Sequence, residues 1–227
     1  RVSMLREITE LDGLNARSRS LLEQIFPQLT DEGGRHEEDF MSLYVHHDVI
    51  AMDHELGRGM SGVVHMGAVK RAGSRVGHMS MNGEMCPDMQ CAVKALRETA
   101  SECRGDDILR FMCECKLMPI LRHPHVVKLV AVCFDRVPFL TAMEYMSHGN
   151  LRDYARRLKQ EGAGHALMGR EVMIMFAVQI SSALAYLEKL HIVHRDVAAR
   201  NILVSNQNRV KLSDFGMSRL MSTSECM

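Results

Sequence analysis

The order of strand-like and helix-like segments along this chain constrains its fold more than any single residue does. Five short apolar segments, broken by turns, follow one another between residues 48 and 146, and one stretch with helical spacing lies among them. From Asn150 onwards the pattern is mostly helical, apart from the segments NILVS and RVKLS, which read as a hairpin. This order predicts an α+β protein with two lobes, the first holding five strands and one helix and the second mainly helical.

Residues 1–46 differ from the strand-like segments that follow them in their pattern of apolar and charged residues. Apolar side chains recur at roughly helical spacing between Leu5 and Ile25, and a charged, glycine-containing stretch comes next. We therefore expect a partly helical linker at 1–46, a first lobe at 47–146 and a second lobe at 147–227.

The composition excludes some partners and suggests a compartment. The 28 Lys and Arg residues balance the 28 Asp and Glu residues, so no net field favours nucleic acid or a membrane surface. We expect no membrane span, because no uninterrupted apolar run reaches the required length. The seven cysteines form no CxxC pair, which argues against a zinc site and is typical of free thiols in the reducing cytoplasm.

A glycine-rich turn joins the first two predicted strands. Gly57, Gly59 and Gly62 in GRGMSGVV match G-x-G-x-x-G-x-V, a spacing that lets backbone amides approach phosphate oxygens with no side chain in the way. The pattern alone is as compatible with a plain tight turn. The segment after Gly62 is strand-like, which argues against a dinucleotide-binding fold and favours a hairpin that folds over a nucleotide.

A lysine lies in the third predicted strand, CAVKAL, which is otherwise apolar. A charged amine in a buried strand is costly unless it is paired. Glu114, in the helical segment that follows, could pair with Lys94 and leave it able to bind phosphate oxygens. The alternative is that the two residues are unrelated surface charges.

Three polar residues bracket the predicted hairpin of the second lobe. Asp196 and Asn201 lie five residues apart in VHRDVAARN, and Asp214 in SDFG follows thirteen residues after Asn201. Because the hairpin returns the chain, Asp214 can approach the other two in space. Hard oxygen ligands around one point suit Mg²⁺ with bound phosphates, and one carboxylate remains free to accept a proton from a hydroxyl. Each Asp taken alone could equally be a turn or cap residue.

Together these motifs point to one family. G-x-G-x-x-G-x-V, A-V-K, a helical Glu, H-R-D-x-x-x-x-N and D-F-G occur in order, each in the element type that it requires. Over about residues 48–227 the chain closely resembles the protein kinases. HRDVAARN, HPHVVKLVAVC and MEYMSHGNLRDY are similar to the tyrosine-specific branch. The resemblance implies phosphoryl transfer from ATP to tyrosine hydroxyls of protein substrates, with Mg²⁺ as cofactor.

The resemblance also assigns catalytic and metal-binding roles. It implies that Asp196 accepts the substrate proton and that Arg200 helps to orient the reacting groups. It further implies that Asn201 and Asp214 hold Mg²⁺.

The same resemblance supplies an ATP site. It implies that Lys94, paired with Glu114, holds the α- and β-phosphates. It implies that the glycine turn covers the phosphates with Gly57, Gly59 and Gly62, and that the adenine lies between Val64, Ala92 and Leu203. It also implies a gatekeeper at Met143 and hinge contacts from Glu144 and Met146. It also implies a stacked apolar spine formed by Met118, Leu129, His194 and Phe215.

Two subfamilies share these motifs. HPHVVKL, SSALAYLE and VKLSDFGMSRLM are similar to focal adhesion kinase, whereas AVKALRE and EYMSHGNL are similar to neurotrophin-type receptor kinases. The Ala-Ala-Arg triplet at 198–200 favours the focal adhesion type, with the receptor type second. We expect a cytoplasmic protein, or one at the cytoplasmic side of the plasma membrane if the parent protein is a receptor.

The ends of the chain suggest a piece of a longer kinase. It begins with Arg1 rather than Met, and it stops eleven residues after Gly216, before any A-P-E motif. We therefore expect a partial second lobe that ends in the activation segment, and the isolated piece could be inactive. The alternative is a truncated, non-catalytic kinase-like module that binds a nucleotide or a partner.

Overall fold

The computed structural model describes residues 42–59, 62–70, 89–96, 110–111, 113–115, 117–136, 138–162 and 169–221. Most of the predicted linker at 1–46 therefore lies outside the described residues. The described residues form two compact units, which are treated separately here: the first falls within Arg1–Ile120 and Leu129–Tyr145, and the second within Leu121–Lys128 and Met146–Met227. The lobe boundaries at 47–146 and 147–227 stay predictions.

A five-stranded antiparallel sheet dominates the first unit, as the order of the apolar segments predicts. Its strands follow the sheet order β1-β2-β3-β5-β4. Their bounds are β1 Ile50–Gly59, β2 Gly62–Val69, β3 Met89–Leu96, β4 Leu129–Cys133 and β5 Leu140–Glu144.

The two faces of this sheet carry different residues, because side chains alternate along each strand. One face bears an apolar core that includes Cys91, Val93 and Ala95 of β3. Lys94 and Ala92 of β3 fall between these residues and thus share the opposite face. The alternation therefore separates the packing residues of β3 from its candidate functional residues.

A helix, α1, packs against the sheet of the first unit; its described residues are 110–111, 113–115 and 117. Phe111 is 1% exposed, and its ring centroid lies 5.6 Å from that of Phe134 and 6.1 Å from that of Phe139. This aromatic cluster fixes the position of α1. Glu114, one turn further along, is buried as well.

Among its described residues the second unit has two α-helices, α2 Leu151–Gln160 and α3 Arg170–Lys189. The side chain of Asn150 caps α2 by accepting a hydrogen bond from the amide of Asp153 (2.9 Å), so the helix begins where the sequence predicts. In α3 the buried residues are Phe176, Ala183 and Leu187.

Helical spacing predicts that one face of α3 carries Met173, Phe176, Ile180, Leu184 and Leu187. Of these residues Phe176 and Leu187 are buried, whereas Met173 is 48% exposed. By length and composition alone, α3 is also apolar enough to cross a membrane, a test that core helices of soluble proteins pass too. A membrane span tolerates a few polar residues, so the expectation of no span, which is drawn from uninterrupted apolar runs, stays a prediction.

Two small sheets bring distant loops of the second unit together. Strands β7 (Ile202–Val204) and β8 (Val210–Leu212) pair as the predicted hairpin. Outside this hairpin, β6 (Ile192–Val193) pairs with β9 (Arg219–Leu220). The pairings are nested, so residues 194–201 and 213–218 must run alongside each other. These two segments carry most of the candidate site of this unit.

Candidate functional site

The glycine turn lies where β1 meets β2, with Gly59 paired to Gly62 and Gly57 paired to Val64. A Cβ atom on Gly62 would lie 2.1 Å from the carbonyl oxygen of Ala95, so the fold itself requires this glycine. A Cβ atom on Gly57 would meet nothing within 4 Å among the described residues. Contacts with the described residues therefore do not explain why residue 57 is a glycine. The open space beside it fits close approach by a ligand phosphate.

The structure pairs Lys94 with Glu114, and the reading of two unrelated surface charges is wrong. Lys94 Nζ donates to Glu114 Oε2 at 2.8 Å. Their side chains are 11% and 2% exposed, respectively. Strand β3 supplies the lysine, and the packing of Phe111 holds the helix that supplies the glutamate. The role of the pair in phosphate binding stays a prediction.

Four candidate ATP-binding residues of the first unit lie on one face of its sheet. Val64 is directly opposite Lys94, and Ala92 is directly opposite Met143. Because Ala92 and Lys94 are two residues apart on one strand, all four side chains point the same way. Glu144 ends β5, opposite Cys91.

The remaining predicted ATP contacts, Met146 and Leu203, belong to the second unit. Met146 is 7% exposed and accepts a hydrogen bond from the amide of Gly149 (3.0 Å). Leu203 lies in β7 opposite Lys211. The amide of Val204, its neighbour, donates to the carbonyl of Gly149 at 2.8 Å, so these two stretches run side by side.

The structure brings Asp196, Arg200 and Asn201 together in the segment between β6 and β7. Asn201 Nδ2 donates to the backbone oxygen and to Oδ2 of Asp196, each at 2.8 Å, and Arg200 donates to Oδ1. Burial raises the pKa of Asp196, but the hydrogen bonds from Asn201 and Arg200 outweigh it and leave this pKa below its usual value. Asp196 is therefore ionised at neutral pH and can accept a proton.

Asp214 reaches the same loop, because its neighbour Ser213 donates a backbone hydrogen bond to the oxygen of Asn201 (2.8 Å). Asp214 has φ 62° and ψ 73°, the left-handed region that a residue other than glycine rarely occupies. Such backbone strain persists only where the surroundings impose it, and it is frequent at functional sites.

The donor groups of this loop fit Mg²⁺. Both hydrogen bonds from the Asn201 side chain to Asp196 use Nδ2, so its oxygen Oδ1, like the carboxylate of Asp214, is an oxygen donor of the type that Mg²⁺ prefers. Within the described residues no three His, Cys, Asp or Glu side chains cluster as a metal site. Mg²⁺ needs no such cluster, because it is usually held by one or two carboxylates, waters and substrate phosphates.

Two members of the predicted spine touch within the second unit. The rings of His194 and Phe215 meet edge to face with centroids 4.9 Å apart, and both residues are buried. Met118 and Leu129, the other two, are buried in the first unit. The continuous spine stays a prediction.

Residues 50–227 match the family model of protein tyrosine and serine/threonine kinases. The chain belongs to this kinase family. It is 39% identical to human tyrosine-protein kinase ABL2 over 173 residues, and 35% identical to the chicken high affinity nerve growth factor receptor over 192 residues.

These relatives are much longer proteins. The match with ABL2 covers 76% of this chain and 12% of ABL2, and the match with the receptor covers 79% of this chain and 23% of the receptor. A third relative, Drosophila melanogaster tyrosine-protein kinase Btk, is 38% identical over 77% of this chain and 19% of its own length. None of the three is a focal adhesion kinase, so that subfamily stays a prediction.

The sequence reasoning missed two serines of the second unit. Ser213 and Ser218 are 7% and 1% exposed, and both donate hydrogen bonds to the segment 194–201. The D-F-G motif, residues 214–216, lies between these two serines. Nothing in the sequence around a single serine indicates that its side chain is buried. Only the nested pairing of β6 with β9 around β7 and β8 reveals them.

Proposed function

We propose that this chain is the catalytic part of a protein-tyrosine kinase that transfers the γ-phosphoryl group of ATP to tyrosine hydroxyls of proteins. The observation that carries the proposal is the Asp196 carboxylate, held ionised by Asn201 and Arg200 in a chain that belongs to the kinase family. Its likeness to proteins named tyrosine-protein kinases supports tyrosine as the acceptor.

In the proposed reaction the tyrosine oxygen attacks the γ-phosphorus while the bond to the β,γ-bridging oxygen breaks, so that phosphotyrosine and ADP form. Asp196 accepts the proton that the hydroxyl loses. Arg200 keeps the carboxylate oriented toward that proton. Catalysis of this kind depends on positioning and on charge stabilisation more than on the strength of the base.

The remaining residues bind and orient ATP. Lys94 holds the α- and β-phosphates, and Glu114 keeps the amine in place. Asn201 and Asp214 would hold Mg²⁺, which would supply charge neutralisation at the phosphates. The adenine and hinge contacts are assigned to Val64, Ala92, Leu203, Met143, Glu144 and Met146, and the phosphate cover to Gly57, Gly59 and Gly62.

We further propose that the kinase acts in the cytoplasm or at the cytoplasmic side of the plasma membrane. Three of the described cysteines, Cys91, Cys115 and Cys133, are buried and form no disulfide, as is usual for thiols in a reducing compartment. Protein substrates bearing tyrosine are its proposed partners.

A phosphotransfer assay on the 227-residue chain tests the function. Mg-ATP is supplied with a tyrosine-containing peptide or with the same peptide carrying serine instead. We expect transfer to the tyrosine peptide, and a loss of roughly 100-fold or more in Asp196→Asn, the range that general-base removal produces. Asp53→Asn removes a carboxylate that is 78% exposed and serves as the matched control.

The outcomes separate the proposal from its alternative. Undiminished transfer by Asp196→Asn would refute the assignment of the base. Calorimetric binding of Mg-ATP without any transfer would favour the non-catalytic nucleotide-binding module.

A further inference from the structure

Two buried hydroxyls flank Asp214 in the segment between β8 and β9. Ser213 precedes Asp214 and is 7% exposed, and Ser218 lies at the other end of the segment and is 1% exposed. A buried hydroxyl is costly unless it forms a hydrogen bond, so the partners of both serines decide what they do.

Ser213 binds the backbone of Asn201 twice. Its amide and its Oγ both donate to the carbonyl oxygen of Asn201, at 2.8 and 2.9 Å. The side chain of Asn201 in turn donates to Asp196 at 2.8 Å. The position of the proposed catalytic base thus depends on Asn201, and the position of Asn201 depends on Ser213.

His194 closes the ring of hydrogen bonds. The amide of Asp196 donates to His194 Nδ1 at 3.3 Å, and His194 Nε2 lies 3.0 Å from the carbonyl oxygen of Ser213. Since Nδ1 accepts, Nε2 carries the hydrogen and donates to Ser213. Ser213, Asn201, Asp196 and His194 therefore form one closed circuit in which no member shifts alone.

Ser218 anchors the far end of the same segment. Its Oγ donates to the carbonyl oxygen of His194 at 3.2 Å. Beside it, Nε of Arg195 donates to the carbonyl oxygen of Met217 at 2.7 Å. The strained backbone of Asp214 is thus held between two anchors on one loop.

We propose that Ser213 and Ser218 are positioning residues whose hydroxyls clamp the Asp214 turn onto the segment 194–201. Through this clamp they set the separation between the proposed base Asp196 and the proposed metal ligands Asn201 and Asp214. The proposal rests on the kinase function and deepens it, because it adds to the reaction two side chains that touch neither substrate nor metal.

Hydrogen exchange of the chain without any ligand is the first test. Ser213→Ala and Ser218→Ala each remove one hydroxyl from the clamp. Ser205→Ala is the matched control, because Ser205 Oγ accepts only from the amides of Gln207 and Arg209 in the β7–β8 turn (both 3.3 Å). Ser213→Thr restores a hydroxyl.

We expect the amides of residues 194–201 to exchange about tenfold faster in the two clamp variants, since one hydrogen bond shifts a local opening equilibrium by about that factor. The control should leave them unchanged, and Ser213→Thr should regain protection. Equal exchange in all variants would overturn the clamp. Uniform loss of protection throughout the second unit would overturn it too, in favour of a purely structural role.

The Mg²⁺ requirement of the peptide assay is the second test. We expect the Mg²⁺ concentration for half-maximal transfer to rise about tenfold in Ser213→Ala and Ser218→Ala, as for residues that orient metal ligands. An unchanged Mg²⁺ requirement together with faster exchange would overturn the positioning role. Absence of transfer in the unmodified chain would favour the truncated, non-catalytic module instead, while the exchange experiment would still decide whether the clamp exists.

Discussion

Removing one charge of the buried Lys94–Glu114 pair tests how much this pair contributes to the stability of the first unit. Glu114→Gln keeps the size and shape of the side chain but removes the carboxylate that accepts a hydrogen bond from the Lys94 amine. Both side chains are almost inaccessible to water, with 11% and 2% exposed, so solvent cannot replace the lost partner. We expect a large loss of stability together with a loss of phosphoryl transfer.

The magnitude follows from the burial of the pair. Breaking a buried ion pair by removing one partner costs about 3–5 kcal/mol, because a charge is left uncompensated. For a chain of this size each kcal/mol lowers the melting temperature by roughly 2–4 °C. We therefore expect Glu114→Gln to melt roughly 6–20 °C below the unmodified chain, which calorimetry or circular dichroism will measure.

The double variant Lys94→Met/Glu114→Leu is the control, because it replaces both charges with apolar groups of similar size. Such replacements are often neutral or stabilising by about 1–4 kcal/mol. The double variant should therefore regain the stability that Glu114→Gln loses, without regaining phosphoryl transfer. A cost below about 1 kcal/mol in Glu114→Gln would refute the reasoning, since that is the range of exposed pairs.

Three further predictions concern other parts of the chain. Gly62→Ala should lower the free energy of unfolding in urea by about 1–3 kcal/mol, because its Cβ would clash with Ala95. Gly57→Ala should unfold like the unmodified chain and bind ATP more weakly. Equal stability of the two variants would contradict this prediction. Burial holds the pKa of His194 below its usual 6.5, so the unfolded chain takes up the proton first, and unfolding free energy should fall as the pH drops below about 6.5. Urea titrations at several pH values will show this, and a dependence just as steep in His194→Gln would contradict it. Burial, with help from Asp135, raises the pKa of Cys133 to about 12, so iodoacetamide at neutral pH should leave this thiol unmodified until the chain unfolds; rapid labelling of the folded chain, seen by mass spectrometry, would count against it.

The ordered motifs predicted the fold because each motif requires a particular element. The five apolar segments predicted the five strands of the first unit, and the glycine pattern followed by a strand predicted the hairpin of β1 and β2; the structure contains both. The pairing of Lys94 with Glu114 could be offered only as one of two readings. The two residues lie 20 positions apart in different elements, where no periodicity links them.

The sequence could not predict the features that depend on short, non-local pairings. Strands β6 and β9 have two residues each, too few for any pattern of alternation. Their pairing nevertheless buries Ser213 and Ser218 and aligns the two loops. Helical spacing, likewise, predicted which residues of α3 share a face but not how wide the packed face is, so it could not predict that Met173 is half exposed.

The two units hold their functional groups by different physical means, and perturbations should reveal the difference. In the first unit a buried charge pair and an aromatic cluster hold Lys94, so changes there act on stability and function together. In the second unit a circuit of hydrogen bonds holds Asp196, and each bond contributes only about 0.5–1.5 kcal/mol to stability. Ser213→Ala should therefore lower the melting temperature far less than Glu114→Gln does, while both impair phosphoryl transfer. A similar fall in melting temperature for the two variants would mean that the serine clamp stabilises the unit rather than positions its carboxylates.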